Sequence, residues 1–318
     1  MHNTPLSRPR LGLALGSGAA RGLAHIGVLK VLEEADIPID IITGTSMGAF
    51  IGAMYAARVP VEQMEQVALE IDWRSMARLL NPVVPTSGLT DGKKLVAFME
   101  EVLPARDFKD LRQALAVTAT DINTGEAIII KQGDLLEALR ASLAFPGIFP
   151  PVRFGQRFLV DGGLCNPIPT VAARHLGAEK IIGVCTIPAV AKQTPEAFLP
   201  SKHGHSRTIK RWRDFFSTRR IEQAFRSALG HEAEQLNDDE PANLKAPNIF
   251  RVCAQSVAIM ENVINELHQD QSPHDLILRP PLDGITLLEF HRAEEIIAAG
   301  EASTRAALPE IEYLLKTA

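Results

Sequence analysis

A serine held between glycines at the exit of an apolar run is the feature of this sequence with the clearest chemical meaning. The run Ile37–Ile42 leads into Gly44-Thr45-Ser46-Met47-Gly48, and small, helix-compatible residues follow. That strand-to-helix context turns G-x-S-x-G into a nucleophile elbow: a sharp turn exposes the Ser46 hydroxyl, and Gly44 and Gly48 let the backbone pass close by. The chemistry this suggests is acyl transfer to a serine, and hence a serine hydrolase. The plainer alternative is a glycine-rich turn whose serine caps the next helix.

Acyl transfer also needs a base, and donors aimed at the oxyanion that develops. Strand-like Leu11–Leu15 runs into Gly16-Ser17-Gly18-Ala19-Ala20-Arg21-Gly22 and then into a helical pattern. A glycine-rich loop at a helix N-terminus offers free N–H groups and a favourable dipole to an oxyanion or a phosphate. A dinucleotide loop is the rival reading, but Arg21 occupies the place of the last glycine of G-x-G-x-x-G, so that fingerprint fails. None of the nine histidines stands in a catalytic-looking context; His25 and His175, for instance, fall within helical patterns. A carboxylate does. Phe158-Leu159-Val160-Asp161-Gly162-Gly163 puts Asp161 at the end of an apolar strand, before two glycines that permit a tight turn. This suggests a Ser46–Asp161 dyad, against the alternative of an ordinary Asp-Gly turn. An unperturbed aspartate is a weak base at neutral pH, so the dyad requires a desolvated site or a strongly stabilised oxyanion.

The elements that must position these residues alternate along the chain. Strand-like runs occur at Leu11–Leu15, Ile39–Thr43, Leu115–Asp121, Ala127–Lys131, Phe158–Asp161 and Lys180–Thr186. Helical patterns occupy Arg21–Ala35, Met47–Ala57, Val61–Ile71, Gly92–Leu103, Asp134–Ser142 and Ile168–Leu176. The alternation predicts an α/β fold with a largely parallel sheet covered on both faces. From Pro188 to about Pro247 the alternation stops, and we read a basic, lid-like insertion within one domain spanning 1–318, with its core at about 10–187 and 248–318. Beyond it, Val252, Ile259, Met260, Val263, Ile264 and Leu267 recur at helical spacing. A strand at Leu276–Leu278 and a long helix near Leu287–Leu315 then resume the pattern.

The loop Gly16–Gly22 and the elbow Gly44–Gly48 are joined by two further motifs: Ala141-Ser142 with Pro146-Gly147 and Pro150-Pro151, and Asp161-Gly162-Gly163 before Asn166-Pro167-Ile168-Pro169. Together they resemble the patatin-like phospholipases, and most nearly the bacterial RssA-like group related to neuropathy target esterase. The likeness runs from about Arg10 to Val184 and returns over Leu287–Glu301, at Phe290-His291-Arg292-Ala293 and Ala298-Ala299-Gly300-Glu301. It implies a three-layer α/β/α patatin-like fold with a mainly parallel sheet, and a dyad without histidine in which Ser46 is the nucleophile and Asp161 the base. It further implies an oxyanion hole drawn from Gly16, Ser17, Gly18, Ala19, Arg21 and Gly22, with Met47, Gly162 and Gly163 in support. The implied substrate is a phospholipid or lysophospholipid, and neither a metal nor an organic cofactor is called for. Ser17 departs from the three successive glycines with which that family's loop is usually written; backbone donation survives a serine there if its φ is compatible.

Composition narrows the rest. A chain of 318 residues, 46% hydrophobic and 22% charged, buries a large core, and disordered or fibrous classes are excluded. A net charge of −5 argues against a dedicated nucleic-acid binder. Cys165, Cys185 and Cys253 lack C-x-x-C spacing and read as thiols in a reducing compartment. With no apolar signal region in Met1–Pro9 and no membrane-spanning window, the expected location is the cytoplasm. Within residues 202–220, Lys202, Arg207, Lys210, Arg211, Arg213, Arg219 and Arg220 oppose a single acid, Asp214, and interleave with Trp212, Phe215 and Phe216. A basic amphipathic helix of this kind suits peripheral attachment to the inner face of the membrane. The alternatives are a solvated helix packed on the core and, for the whole chain, a non-catalytic regulator that keeps the fold to bind a lipid or a protein.

Overall fold

The protein is described by a computed structural model that covers residues 8–71, 90, 92–187, 249–271 and 274–316. The basic stretch 202–220, with Trp212, Phe215 and Phe216, lies outside the described residues, as does the whole insertion at 188–247.

Eight strands form one sheet: β1 (Leu11–Leu15), β2 (Ile41–Thr45), β3 (Ala114–Asp121), β4 (Ala127–Ile130), β5 (Val152–Phe154), β6 (Arg157–Asp161), β7 (Lys180–Val184) and β8 (Leu276–Leu278). Among the described residues eight α-helices accompany them: α1 (Ala24–Glu34), α2 (Met47–Ala56), α3 (Val61–Glu70), α4 (Lys93–Val102), α5 (Leu135–Ser142), α6 (Thr170–His175), α7 (Ile249–Gln271) and α8 (Ala293–Lys316). The strands β8, β7, β1, β2 and β3 run parallel, in that order, and β4, β5 and β6 add antiparallel pairings at the β3 end.

Every residue of β1 and β2 is buried, because a parallel sheet is covered on both faces, and β1 accordingly reads as a continuous apolar run. The pleat divides them. Leu11, Leu13 and Leu15 of β1 join one cluster with Leu29 of α1, Met54 of α2, Met64 of α3 and Ile296 of α8. Ala14, one residue out of phase, joins Ile181 and Ala173 of α6 on the opposite face. Two helical layers with the sheet between them make a three-layer α/β/α architecture.

Three details depart from the sequence reading. β2 starts at Ile41, not Ile39, because the Asp40 carboxylate accepts the Leu11 N–H at 2.7 Å and pairs with Arg8, ending the ladder there. β5 was hidden behind Pro150-Pro151 and is too short to show a period. The third is α7, which turns Glu261 and Asn265 inward and leaves Val252, Ile259, Met260, Val263 and Leu267 exposed, the reverse of the side its apolar spacing suggested.

Candidate active site

The site is built on one edge of β3. Thr118 pairs with Thr45 of β2 and with Ile129 of β4, so those two strands take opposite edges. Ala119, the next residue, pairs with Ile128 of β4 and with Asp161 of β6. β2 and β6 therefore share an edge and meet end to end. β2 leaves it at Thr45 and delivers Ser46, while β6, running the other way, stops at Asp161.

At this junction the Ser46 hydroxyl donates to Asp161 Oδ2 at 2.7 Å. Ser46 has φ 54° and ψ −121°, a conformation that L-residues rarely adopt and that costs of order 1–3 kcal/mol. The surroundings enforce it: a Cβ on Gly44 would overlap the Ala49 backbone, and one on Gly48 would overlap the Leu15 carbonyl. The Ser46 N–H donates to Ser142 Oγ at 2.8 Å, which ties the elbow to the end of α5. Beneath it, Thr45 Oγ1 lies 2.6 Å from Thr118 Oγ1 and 2.8 Å from the Asn166 carbonyl.

Asp161 is 4% exposed. Its Oδ1 accepts the Gly163 N–H at 2.8 Å, and its main-chain carbonyl accepts the Thr120 hydroxyl, so the carboxyl group is fixed from both sides. Burial pushes its pKa up to about 6, against the Gly163 N–H and the Ser46 hydroxyl, which favour the charged form. A carboxylate with this proton affinity is a better base than an ordinary aspartate and is still mostly ionised at neutral pH.

The loop after β1 brings Gly16, Ser17, Gly18 and Ala19 alongside, and Gly22 against the elbow, where a Cβ would meet Met47 at 2.6 Å. The N–H groups of this loop and of Met47 in the elbow differ in their partners. Gly16 donates to the Val184 carbonyl at 3.0 Å, Ser17 to Pro167 at 2.9 Å and Arg21 to Gly18 at 3.0 Å, so these three are already engaged. Among the described residues, the N–H groups of Gly18, Ala19 and Met47 have no such partner. Ala19 holds φ 48°, and a Cβ on Gly18 would overlap the Thr186 hydroxyl. Arg21 is buried, its guanidinium less basic than usual through desolvation, with Glu261, Cys185 and Glu289 acting in the opposite direction. Its main-chain N–H serves the local turn.

Three further side chains, Ser142, His25 and Glu261, complete the arrangement; of these only Ser142 stands in a motif that the sequence singles out. His25 is fully buried, and Nε2 lies 2.8 Å from the Gly16 carbonyl, which can only accept, so this nitrogen carries the proton. Burial depresses the His25 pKa to about 4, so the imidazole is neutral and braces the loop. Glu261, from α7, is 6% exposed and accepts the Ser17 hydroxyl at 2.8 Å. Ser17 thus uses the hydroxyl that a glycine would lack. Its main-chain carbonyl accepts Thr186 Oγ1 at 2.6 Å.

A hydroxyl on a strained elbow, a desolvated carboxylate in contact with it and unpaired N–H groups nearby form a constellation suited to acyl transfer. The chain belongs to the patatin-like phospholipase family, whose model matches residues 13–174, and its three-layer architecture is the patatin fold. It is accordingly an enzyme of the lipid acyl hydrolase class. An uncharacterized NTE family protein of Mycobacterium tuberculosis is 29% identical over 343 residues, covering 96% of this chain and 93% of that protein. The lysophospholipase nte1 of Aspergillus fumigatus is 30% identical over 295 residues, which are 92% of this chain but 18% of that much longer protein. Among solved structures, VipD from Legionella pneumophila aligns with a TM-score of 0.47 at 12% identity, covering 96% of this chain and 67% of that one. Among the described residues no helix is long and apolar enough to cross a membrane.

Proposed function

We propose that the protein hydrolyses the carboxylic ester bonds of phospholipids or lysophospholipids through a Ser46–Asp161 dyad. The observation that carries this is the 2.7 Å hydrogen bond from the Ser46 hydroxyl to Asp161 Oδ2 at a positive-φ elbow. In the first step Asp161 takes the Ser46 proton as Oγ attacks the acyl carbonyl; the alcohol or lysolipid leaves with that proton, and an acyl-Ser46 ester remains. In the second step Asp161 removes a proton from water, which attacks the acyl group. The fatty acid is released and the Ser46 hydroxyl is restored. The free N–H groups of Gly18, Ala19 and Met47 are the donors we assign to the oxyanion of both steps. The Ser17 side chain, His25 and Ser142 hold these parts in register.

The lipid substrate is supported by the family, and the lysophospholipid option also by the Aspergillus relative, which is named as a lysophospholipase. Peripheral membrane association through 202–220 rests on the sequence of that stretch. The test is hydrolysis of a p-nitrophenyl acyl ester and of mixed phospholipid vesicles by wild type, Ser46→Ala and Asp161→Asn. Loss of turnover in both folded variants supports the dyad; turnover retained in Ser46→Ala would require another nucleophile.

A further inference from the structure

The two-step chemistry leaves one buried carboxyl group without a role. Glu261 reaches the site from α7, outside the stretch matched by the family model, and holds the Ser17 hydroxyl at 2.8 Å. A Cβ on Gly163 would overlap its Oε1, so the Glu261 carboxyl lies against the turn that follows Asp161. Two carboxyl groups this near each other, both shielded from water, do not both ionise readily.

The hydrogen bonds decide which of them keeps a proton. Asp161 accepts both the Gly163 N–H and the Ser46 hydroxyl, each of which favours its anion. Ser17 gives Glu261 one such bond. We propose that Glu261 is a positioning residue of this site: in its neutral form it fastens the oxyanion loop through Ser17 and holds the proton that the two carboxyl groups share, leaving Asp161 free as the base. This rests on the Ser46–Asp161 reading above.

The charged and titratable groups facing Glu261 are Asp161 at the end of β6, Arg21 in the turn after β1 and Cys185 after β7. Arg21 in turn faces Glu289, and Cys185 receives Arg279 Nη1 at 3.3 Å. Burial first and the Asp161 charge second push Glu261 up to about 7, with Ser17 and Arg21 opposing, in the direction that the hydrogen bonds require. Above that pH a second negative charge forms beside Asp161 and beside the loop that must receive the oxyanion. Turnover then rises as Asp161 ionises and falls as Glu261 ionises.

The experiment pairs a proton readout with an activity readout on the full chain. Carboxyl 13C NMR of Asp- and Glu-labelled protein, assigned with Glu261→Gln and Asp161→Asn, should show Glu261 titrating above Asp161, and moving down by about one pH unit in Asp161→Asn. A Glu261 resonance that is ionised throughout pH 5–8, or that ignores Asp161→Asn, overturns the proposal. This arm reads the protons whether or not any ester is cleaved, so absence of hydrolysis by wild type would reject the functional reading separately. In the activity arm, Glu261→Gln, neutral at every pH, should keep kcat/KM within about threefold near pH 6.5 and lose the alkaline decline. Glu261→Ala should lower kcat by about tenfold at little change in KM, since the loop loses its anchor. Lower thermal stability in both variants, with an alkaline decline like that of wild type, would mean that Glu261 is merely structural and would overturn the assignment.

Discussion

Ser46 and Asp161 are 115 residues apart in the chain, yet they are joined at 2.7 Å because the strands carrying them end against each other on one edge of β3. Thr118 pairs with the last residue of β2 and Ala119 with the last residue of β6. The placement of these two side chains is thus set by main-chain register.

The first prediction concerns the base. With burial holding Asp161 near 6, kcat/KM for a soluble ester should rise through about pH 6. Asp161→Asn should lower kcat by about 10²- to 10⁴-fold, the usual worth of a general base. A stopped-flow or steady-state pH series with a p-nitrophenyl ester reads both.

The same burial has a stability consequence of opposite sense. Folded Asp161 binds its proton more tightly than an unfolded aspartate at 3.8, so between 3.8 and about 6 the folded state holds more protons and stability falls as pH rises. The cost is fully present above about pH 6 and is on the order of 3 kcal/mol. Asp161→Asn, whose amide can still accept from Gly163 and donate to Ser46, should therefore unfold at higher denaturant than wild type at pH 7.5, with the gap closing towards pH 4. Denaturant titrations at the two pH values check this.

At Gly18 the loop has no room for a side chain. In Gly18→Ala the added methyl would meet the Thr186 hydroxyl, which holds the Ser17 carbonyl, and the N–H groups of residues 18 and 19 would shift. The expected outcome is a loss of about 10²-fold or more in kcat with KM within about twofold, the pattern of a lost oxyanion donor.

Ser142→Ala should destabilise the elbow. It leaves the buried Ser46 N–H without its acceptor, at a cost of about 1–3 kcal/mol in urea unfolding. Because the strained turn is then less well held, kcat should fall as well, while Ser142→Thr should recover much of both.

Much of this site was legible in the sequence, and the reasons are local. Ser46 and Asp161 each stand at an apolar strand end beside glycines, a pattern confined to a few consecutive residues. The strand β1 and the helix α2 are legible almost to the residue, because buried elements carry an apolar signature. What stayed hidden depends on residues distant in the chain. Glu261 sits on a helix whose apolar spacing points away from the site, and only the fold brings it 2.8 Å from Ser17. The loop could be recognised as a donor array, but which N–H groups remain open depends on the carbonyls of Val184 and Pro167, more than 140 residues on.

The basic stretch makes a prediction on sequence grounds. If Trp212 and Phe216 anchor the protein at a lipid surface, Trp212→Ala with Phe216→Ala should abolish sedimentation with anionic liposomes while leaving hydrolysis of a soluble ester intact.

The most direct test of the central claim is covalent labelling with a serine-directed phosphonate, followed by peptide mass mapping of wild type, Ser46→Ala and Asp161→Asn. The account predicts one adduct, on Ser46, forming at a rate that rises through about pH 6, absent in Ser46→Ala and slowed at least about 10²-fold in Asp161→Asn. An adduct on another residue, or labelling of Ser46 that is unchanged by Asp161→Asn, would contradict it.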